Sequence, residues 1–281
     1  MQINTDYFEL LNEVLHSGNL VECRGHKTVE VINQITLTNM EHPLVTLSKR
    51  KMGYRFACAE AAWILSGDPT VYNIEHYSPT IKNFSDDGHF FFGAYGPKII
   101  DQLEYIGRAF EADLMTRQAV INIWREKPPV SKDIPCTLNV QFMIRKHPSE
   151  DCYRLHTTVN MRSSDIWLGV PYDWFSFSML SAYVAIYLRN RLKLHDHLFL
   201  GQLVNQSMSR HFYESNEVGI IDLVDNPQDF DFDYKPIDLD QFEIPQDLVT
   251  HLWMLAKEKS CFDEITFLKE LTHFWKEKEE K

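Results

Sequence analysis

The sequence predicts a globular protein of the α/β (α+β) class, in which helices and strands follow one another along the chain. Three observations predict it. Apolar residues recur at helical spacing near the start, alternating apolar and polar residues mark several strands, and a long apolar stretch before residue 193 is too long for a strand. With 281 residues, 44% of them hydrophobic, the chain can bury a sizeable core.

The first half of the chain predicts a helix, a strand, a second helix and a loop. Residues 4–17, NTDYFELLNEVLHS, place apolar side chains at helical spacing, and residues 27–39, KTVEVINQITLTN, alternate as a half-buried strand does. Residues 56–67, FACAEAAWILSG, form an alanine-rich helix that stops at a glycine. Residues 78–98 are dense in glycine, proline, aspartate and aromatic residues, so we expect a long structured loop that can carry binding groups.

The second half predicts a group of strands followed by a long buried helix. AVINIW (119–124), TLNVQFMIR (137–145) and RLHTTVNMR (154–162) are typical of three successive strands, and residues 173–192 form the helix. After Tyr213 the chain is acidic, punctuated by prolines and poor in helix signals, so we expect it to wrap the surface.

The carboxyl-terminal part of the chain is expected to complete the same domain. Residues 247–281 predict two short amphipathic helices and a charged tail that frays. The sequence therefore predicts a main core over residues 1–215, with residues 216–281 as an acidic wrapping segment and terminal helices.

Composition and charge argue against several classes of protein. A net charge of −12 would repel nucleic acid, although a few arginines in one cleft can still bind a small anion. The sequence has no apolar run of about 18 residues, and its start lacks the order of a signal peptide. We therefore expect no membrane partner. The five cysteines are odd in number and lack metal-like spacing, so we expect reduced thiols in a cytoplasm and no metal.

Cys136 raises the question of whether it is a nucleophile or a buried thiol. Taken alone, a free cysteine is more often buried and inert. However, CTLNVQF around Cys136 is followed by VNMRSSDIWLGVPYDWFSFSML and then by SMSRHFY, and these strings resemble the core motifs of the thymidylate synthase family. Upstream, ECRGHKTVEV, HPLVTLSKR, AEAAWILSGD and GAYGPK resemble four further family segments, so the resemblance covers about residues 20 to 215.

The resemblance implies the family fold, a large mixed sheet flanked by helices, and a homodimer packed through the sheet with shared active sites. It also implies covalent catalysis, in which the Cys136 thiolate adds to C6 of a pyrimidine nucleotide and C5 takes a one-carbon unit from 5,10-methylenetetrahydrofolate. Glu60 matches the family carboxylate that handles protons and water. A solvated helix charge is the alternative for Glu60, but its alanine and tryptophan neighbours weaken that interpretation.

Two departures from the family motifs indicate a cytosine base. Asp173 stands where the family has asparagine, and Thr137 follows the cysteine where synthases have histidine. An asparagine amide complements uracil, whereas a carboxylate accepts from the amino group of cytosine. The same two features resemble the cytidylate 5-hydroxymethylase branch of the family, which implies a cytoplasm of a bacterium or of a phage-infected cell. Asp173 also precedes a helix, so it can act as a helix cap as well.

The resemblance assigns further residues to the nucleotide phosphate and base. Arg24 and Arg162 match family phosphate arginines, and Arg117 matches one of a pair that the partner subunit supplies, with Gln118 replacing the other. Ser163 would contact phosphate or base, although a serine bonded to its own backbone is equally expected. A last nucleotide-binding residue comes from the cysteine motif, which matches Gln141.

The resemblance is less complete for the sugar and the folate. Gln206 and Met208 stand where the family reads the ribose hydroxyl with a histidine and a tyrosine. Gln206 can bind one sugar hydroxyl, but Met208 cannot replace the hydrogen bonds of the phenol, so CMP competes with dCMP as substrate. Asp165 matches the residue that bonds the pterin, with a cap as its alternative role, and Tyr95 lies in the matching loop.

The sequence leaves the activity open between several alternatives. The first is hydroxymethylation of dCMP or CMP, and the nearby ones are methylation of dCMP and a synthase acting on dUMP. A non-catalytic homologue that binds nucleotides or a protein partner is the alternative from another class, suggested by Gln118, Met208 and the altered carboxyl end. The residues Cys136, Glu60 and Arg162 argue against it.

Overall fold

Helices and strands alternate along the chain of the computed structural model, which describes residues 2–227 and 236–257. Within these residues the strands are β1 (Asn19–Cys23), β2 (His26–Asn39), β3 (Val120–Asn122), β4 (Thr137–Lys146), β5 (Tyr153–Asp165) and β6 (Leu198–Tyr213). The α-helices are α1 (Gln2–Ser17), α2 (Tyr54–Leu65), α3 (Val71–Glu75), α4 (Tyr95–Ala112), α5 (Val170–Leu192), α6 (Glu217–Asp225) and α7 (Pro245–Lys257).

The strands form one mixed sheet in the order β1-β2-β6-β5-β4-β3. Strands β5 and β6 are parallel, and the other neighbouring pairs are antiparallel. Parallel neighbours in a sheet need a crossover connection, and helix α5 lies between β5 and β6 and provides it. This confirms the predicted α/β class and the mixed sheet flanked by helices.

Helix α5 lies at the centre of the core because it is apolar on nearly every side. Trp174, Phe175, Val184 and Leu188 are fully buried, which is the pattern of a helix surrounded by other elements. A proline in its first turn is compatible with a helix start, and Lys193 ends it in the left-handed conformation. Its amino-terminal turn therefore has a fixed place beside the ends of β5 and β6.

One face of the sheet carries exposed apolar side chains. On β2, the buried Thr36 and Thr38 alternate with Ile35 and Leu37, which are 53% and 57% exposed. On β6, Met208 is 61% exposed. An apolar patch of this kind is unusual on a monomer and is typical of a surface that another protein covers.

The structure differs from the sequence-based expectations in several elements. Helix α4 begins at Tyr95, inside the predicted loop over residues 78–98, and helix α6 lies in the segment described as poor in helix signals. Pro97 lies in the first turn of α4, where the missing N–H costs nothing. Gly96 is required there because a Cβ would lie 2.5 Å from the Ile64 carbonyl oxygen. Turn residues in the sequence thus marked a helix start.

Two strands were not predicted, and one prediction lies outside the described residues. Strand β1 and the long strand β6 had no sequence-based assignment, and AVINIW contributes only the three residues of β3. Of the two predicted terminal helices, the first corresponds to α7, which packs on α2 and α5, and the second lies outside the described residues. None of the described helices is both long and apolar enough to cross a membrane.

Candidate active site

A cavity of about 600 Å³ opens where the helices meet the ends of the strands. Helices α2, α4 and α5, the turn between β1 and β2, and the ends of β4, β5 and β6 all contribute to its wall. Eight of the predicted site residues line it: Arg24, Glu60, Tyr95, Cys136, Arg162, Ser163, Asp165 and Asp173. The structure therefore brings together residues that are up to 149 positions apart in the chain.

Cys136 lies directly before β4, with its thiol beside a fixed guanidinium. Nη2 of Arg162 and Oγ of Ser163 lie 3.7 Å and 3.6 Å from its Sγ. The same guanidinium donates to the backbone carbonyls of Pro135 and Ile134, each at 3.0 Å, so its position is set by the chain that carries the cysteine. A neighbouring cation stabilises a thiolate, which is the nucleophilic form of the side chain.

Two carboxyl groups in the cavity wall have pKa values near neutral pH. Burial and, to a smaller extent, the negative charge of Asp173 raise the pKa of Glu60 on α2 to about 8. Burial also raises the pKa of Asp173 in the first turn of α5 to about 7, against the lowering effect of Arg210. Groups that titrate near the working pH are suited to general acid–base catalysis.

Asp165, the last residue of β5, uses its two carboxylate oxygens differently. Oδ1 accepts hydrogen bonds from the backbone N–H groups of Trp167 at 2.7 Å and Leu168 at 2.8 Å, so the side chain caps this turn. Oδ2 is buried without a hydrogen-bond partner among the described residues. A buried acceptor left open in a cavity wall fits a ligand that donates an N–H group.

Tyr95, the first residue of α4, orders the chain next to the cysteine. Its hydroxyl accepts a hydrogen bond from the backbone N–H of Thr137 at 3.2 Å, and its ring stacks on Phe177 at 6.4 Å between centroids. Burial raises the pKa of Tyr95, so the phenol is neutral at physiological pH. Tyr95 therefore connects α4 to the start of β4.

Three predicted residues lie outside the lining of this cavity. Nε2 of Gln141 donates to the Arg117 carbonyl oxygen at 2.8 Å, and Nε2 of Gln206 donates to Oδ1 of Asn33 at 2.9 Å. Arg117, Gln141 and Gln206 are absent from the cavity lining, as is the exposed Met208. In the single chain these side chains therefore do not join the other site residues.

The alternation of buried and less buried side chains along β6 shifts by one residue within the strand. We call this shift a change of phase, and it brings other residues to the cavity. Asn205 and Ser207 are buried, but further along the strand the buried side chains are those of Arg210 and Phe212. At the same level of the sheet, Asn33 on β2 adopts a left-handed φ of 56°. Simple alternation from Gln206 therefore fails before the end of β6.

The residues that this change places in the wall were missed from the sequence. They are Glu30 on β2 and Ser209, His211 and Tyr213 on β6. The hydroxyl of Ser209 donates to the Glu30 carboxylate and lies 3.2 Å from Nδ1 of His211. The spacing of Ser209, His211 and Tyr213 two apart was the available signal, because alternate strand residues share a face.

No metal cluster accompanies these groups in the described part of the chain, where no three His, Cys, Asp or Glu side chains are arranged to hold an ion. The site instead combines a thiol beside a cation, carboxyls with pKa values near neutral pH, and an arginine at a turn. These groups are chemically suited to covalent catalysis on a polar anionic ligand.

Comparison with known proteins places the chain in a family. The family model described as thymidylate synthase matches residues 5–223, so the chain belongs to the thymidylate synthase family. It is similar to the deoxyuridylate hydroxymethyltransferase of Bacillus phage SP01, with 28% identity over 58% of this chain and 46% of that protein. The deoxyuridylate hydroxymethyltransferase of Pseudomonas phage M6 is 32% identical over 46% of this chain and 38% of that protein.

A thymidylate synthase is also similar. That of Buchnera aphidicola is 23% identical over 64% of this chain and 70% of its own length. The chain spans less than half the length of the two phage relatives. The recognised family and its fold are thereby confirmed, whereas the substrate of this protein has to be argued from its own site.

Proposed function

We propose that the protein transfers a one-carbon unit from 5,10-methylenetetrahydrofolate to C5 of a cytidine monophosphate, dCMP or CMP, and releases the 5-hydroxymethyl nucleotide. The observation that carries the proposal is the carboxyl of Asp173 in the wall of the cavity that holds Cys136. It rests on hydrogen-bond complementarity between that carboxyl and the base.

Cytosine and uracil present opposite groups at the two ring positions that distinguish them. Cytosine has an amino donor at C4 and an unprotonated N3, whereas uracil has an O4 acceptor and an N3–H donor. A carboxylate accepts from the cytosine amino group and can share a proton with N3. The same carboxylate faces uracil O4 acceptor to acceptor, a buried mismatch of about 1 to 3 kcal/mol.

The other cavity residues have roles that fit the reaction. The Cys136 sulfur bonds to C6, and the C5=C6 electrons form the new bond from C5 to the one-carbon unit. The C5 proton would then leave as the bond between that carbon and the folate nitrogen breaks, which releases tetrahydrofolate. Water then adds to that carbon, and the sulfur departs from C6. Glu60 would move these protons, because it lines the same cavity and its pKa is about 8.

The folate would supply the one-carbon unit, and this chain offers groups that fit it. The open Oδ2 of Asp165 can accept an N–H group of the pterin, which matches the donor that this atom lacks. Tyr95 fixes Thr137 beside the cysteine, so the space for the folate is bounded on the α4 side.

The phosphate and the sugar would lie toward the strand ends. Arg24, in the turn after β1, and Arg162 are the cavity arginines that can bind the phosphate. The set of Glu30, Ser209 and His211 can accept and donate hydrogen bonds to sugar hydroxyls. We assign the sugar to this set rather than to Gln206, which bonds Asn33 outside the cavity.

The proposal includes a cytoplasmic homodimer with shared active sites. The exposed Ile35, Leu37 and Met208 supply an apolar face on the sheet for a second copy to cover. Arg117 lies outside the cavity of its own protomer, which suits a residue that completes the phosphate site of a partner. Mixing inactive Cys136→Ala and Arg117→Ala proteins should restore activity in heterodimers, and a mixture that stays inactive would contradict shared sites.

The names of the phage relatives favour a second candidate, hydroxymethylation of dUMP. Asp173 argues against it unless the carboxyl is protonated. A third candidate, methylation at C5, shares the covalent half of the reaction and differs in the fate of the one-carbon unit.

The product mass decides between these candidates. The protein is incubated with methylenetetrahydrofolate and, in separate reactions, with CMP, dCMP and dUMP. A gain of CH₂O on a cytidylate supports the proposal and identifies the sugar. A gain of CH₂ indicates a methylase, a product from dUMP alone indicates the second candidate, and no product with any nucleotide refutes the catalytic assignment.

A further inference from the structure

Arg210 is a buried cation close to the carboxyl that faces the base. It lies on β6 and is 0% exposed, although arginine is almost never fully buried unless it is paired. Its side chain does not line the cavity, so it cannot serve as a phosphate ligand there. A buried charge is expensive to maintain, and its partners therefore indicate what it does.

The guanidinium is fixed by three described contacts. Nη2 donates to the carbonyl oxygen of Asn205 at 3.1 Å and to its Oδ1 at 2.8 Å. Nη1 donates to Oγ of Ser164 at 2.9 Å. Neither Asn205 nor Ser164 is charged, so these hydrogen bonds hold the cation without neutralising it.

Ser164 connects this cation to the base-facing carboxyl. Its hydroxyl accepts from Arg210 and donates to Oδ2 of Asp173 at 3.4 Å. A hydroxyl that accepts from a cation is a stronger donor to the next acceptor. The chain of contacts from Arg210 through Ser164 therefore favours Asp173 in its ionised form.

We propose that Arg210 is a positioning residue that acts through Ser164 to hold Asp173 as a carboxylate aimed at the base, and so sets a preference for cytosine over uracil. This inference rests on the proposed function and adds the residue that enforces its base specificity.

The protonation state of Asp173 matters because a protonated carboxyl imitates an amide. Its hydroxyl could donate to uracil O4 while its carbonyl accepts from N3–H, so a neutral Asp173 would accept uracil. Cytosine offers N3, a far stronger base than uracil O4, on which the shared proton can reside. A lower proton affinity of Asp173 therefore weakens the binding of uracil more than the binding of cytosine.

Several charged groups act on this pair. The charges of Asp165 and Arg210 affect the pKa of Asp173. The charge of Asp173 in turn raises the pKa values of Glu60 and Tyr95. Glu13 on α1 also acts on Arg210. Arg210 lowers the pKa of Asp173, whereas burial and Asp165 raise it. Of these groups, Arg210 is the cation that opposes the effect of burial.

The test measures dissociation constants of dCMP and dUMP without folate, by calorimetry, from pH 6 to pH 9. The variants are Arg210→Met, Ser164→Ala and Arg210→Lys, with Arg210→Met also placed in an Asp173→Asn background. Thermal unfolding of each protein is recorded alongside. If Arg210→Met does not fold, Ser164→Ala and Arg210→Lys carry the test, since both are small changes.

We expect Arg210→Met to reduce the preference for dCMP over dUMP by about tenfold, the factor that corresponds to about 1.4 kcal/mol. Ser164→Ala should reduce it less, and Arg210→Lys should retain most of it. The preference of the unaltered protein should rise with pH as Asp173 ionises, and this rise should move to higher pH in Arg210→Met. In the Asp173→Asn background, Arg210→Met should leave the preference unchanged.

An unchanged preference in Arg210→Met and Ser164→Ala would overturn the inference, as would an equal change in the Asp173→Asn background. These outcomes differ from a failure of the proposed function. If the unaltered protein binds dUMP as well as dCMP, the proposed function itself is wrong. If it prefers dCMP and Arg210 does not influence that preference, only the role of Arg210 is refuted.

Discussion

Replacement of Asp173 by asparagine should reverse the base preference. The substitution keeps the size of the side chain and its place in the first turn of α5. It replaces one carboxylate oxygen, which accepts hydrogen bonds, by an amide NH₂ group, which donates them. The cytosine amino group then faces another donor, whereas uracil O4 faces a donor that complements it. Each buried mismatch is worth about 1 to 3 kcal/mol, so the combined swing is about 2 to 6 kcal/mol.

That swing corresponds to a change of about 30-fold to about 20,000-fold in the ratio of kcat/KM for dCMP to kcat/KM for dUMP. Both values are obtained from rates of product formation with the two nucleotides in competition. Asp133→Asn is the matched control, because Asp133 also lines the cavity but accepts from the Gly93 N–H at 2.6 Å. A ratio that moves equally in both variants, or not at all in Asp173→Asn, would refute the role of Asp173.

Three further predictions follow from the burial and contacts of single residues. Because the native state holds the Glu60 proton up to about pH 8, its stability should fall as pH rises from about 4.5 to 8; Glu60→Gln should remove up to about 5 kcal/mol of that fall in urea unfolding, at about 1.4 kcal/mol per pKa unit. Glu30→Gln should raise KM for the nucleotide several-fold with little change in kcat, since it removes a contact to the sugar; a change in kcat alone would contradict this role. Gly96→Ala should cost about 1 to 3 kcal/mol of stability because its Cβ would meet the Ile64 carbonyl at 2.5 Å, whereas Gly53→Ala, with ordinary contacts at 3.5 Å, should be nearly neutral.

The part of the site that the sequence predicted lies in continuous motifs. Cys136 precedes β4, Arg162 and Asp165 lie near the end of β5, and Asp173 lies in the first turn of α5. Strands β4 and β5 are antiparallel neighbours, and α5 follows β5 after a short turn. Their placement in one cavity therefore followed from the order of the motifs.

The missed features depend on contacts between distant segments. The alternation of β6 changes phase beside Asn33 on β2, so Gln206 was assigned to the sugar while Ser209 and His211 reach the cavity. The residue pattern of β6 alone does not reveal this change of phase, because it occurs beside the left-handed Asn33 on the neighbouring strand. Arg210 was missed because a charged strand residue is normally exposed, and only its buried partners make it informative.

Loss of tritium from C5 of the nucleotide tests the central claim most directly. The C5 proton leaves only after a nucleophile has added to C6 and C5 has bonded to an electrophile, which in this reaction is the one-carbon unit. We predict release of tritium from 5-tritiated dCMP or CMP in the presence of methylenetetrahydrofolate, little release from 5-tritiated dUMP, and none with Cys136→Ala. Release from dUMP in preference to the cytidylates, or release that persists without Cys136, would contradict the account.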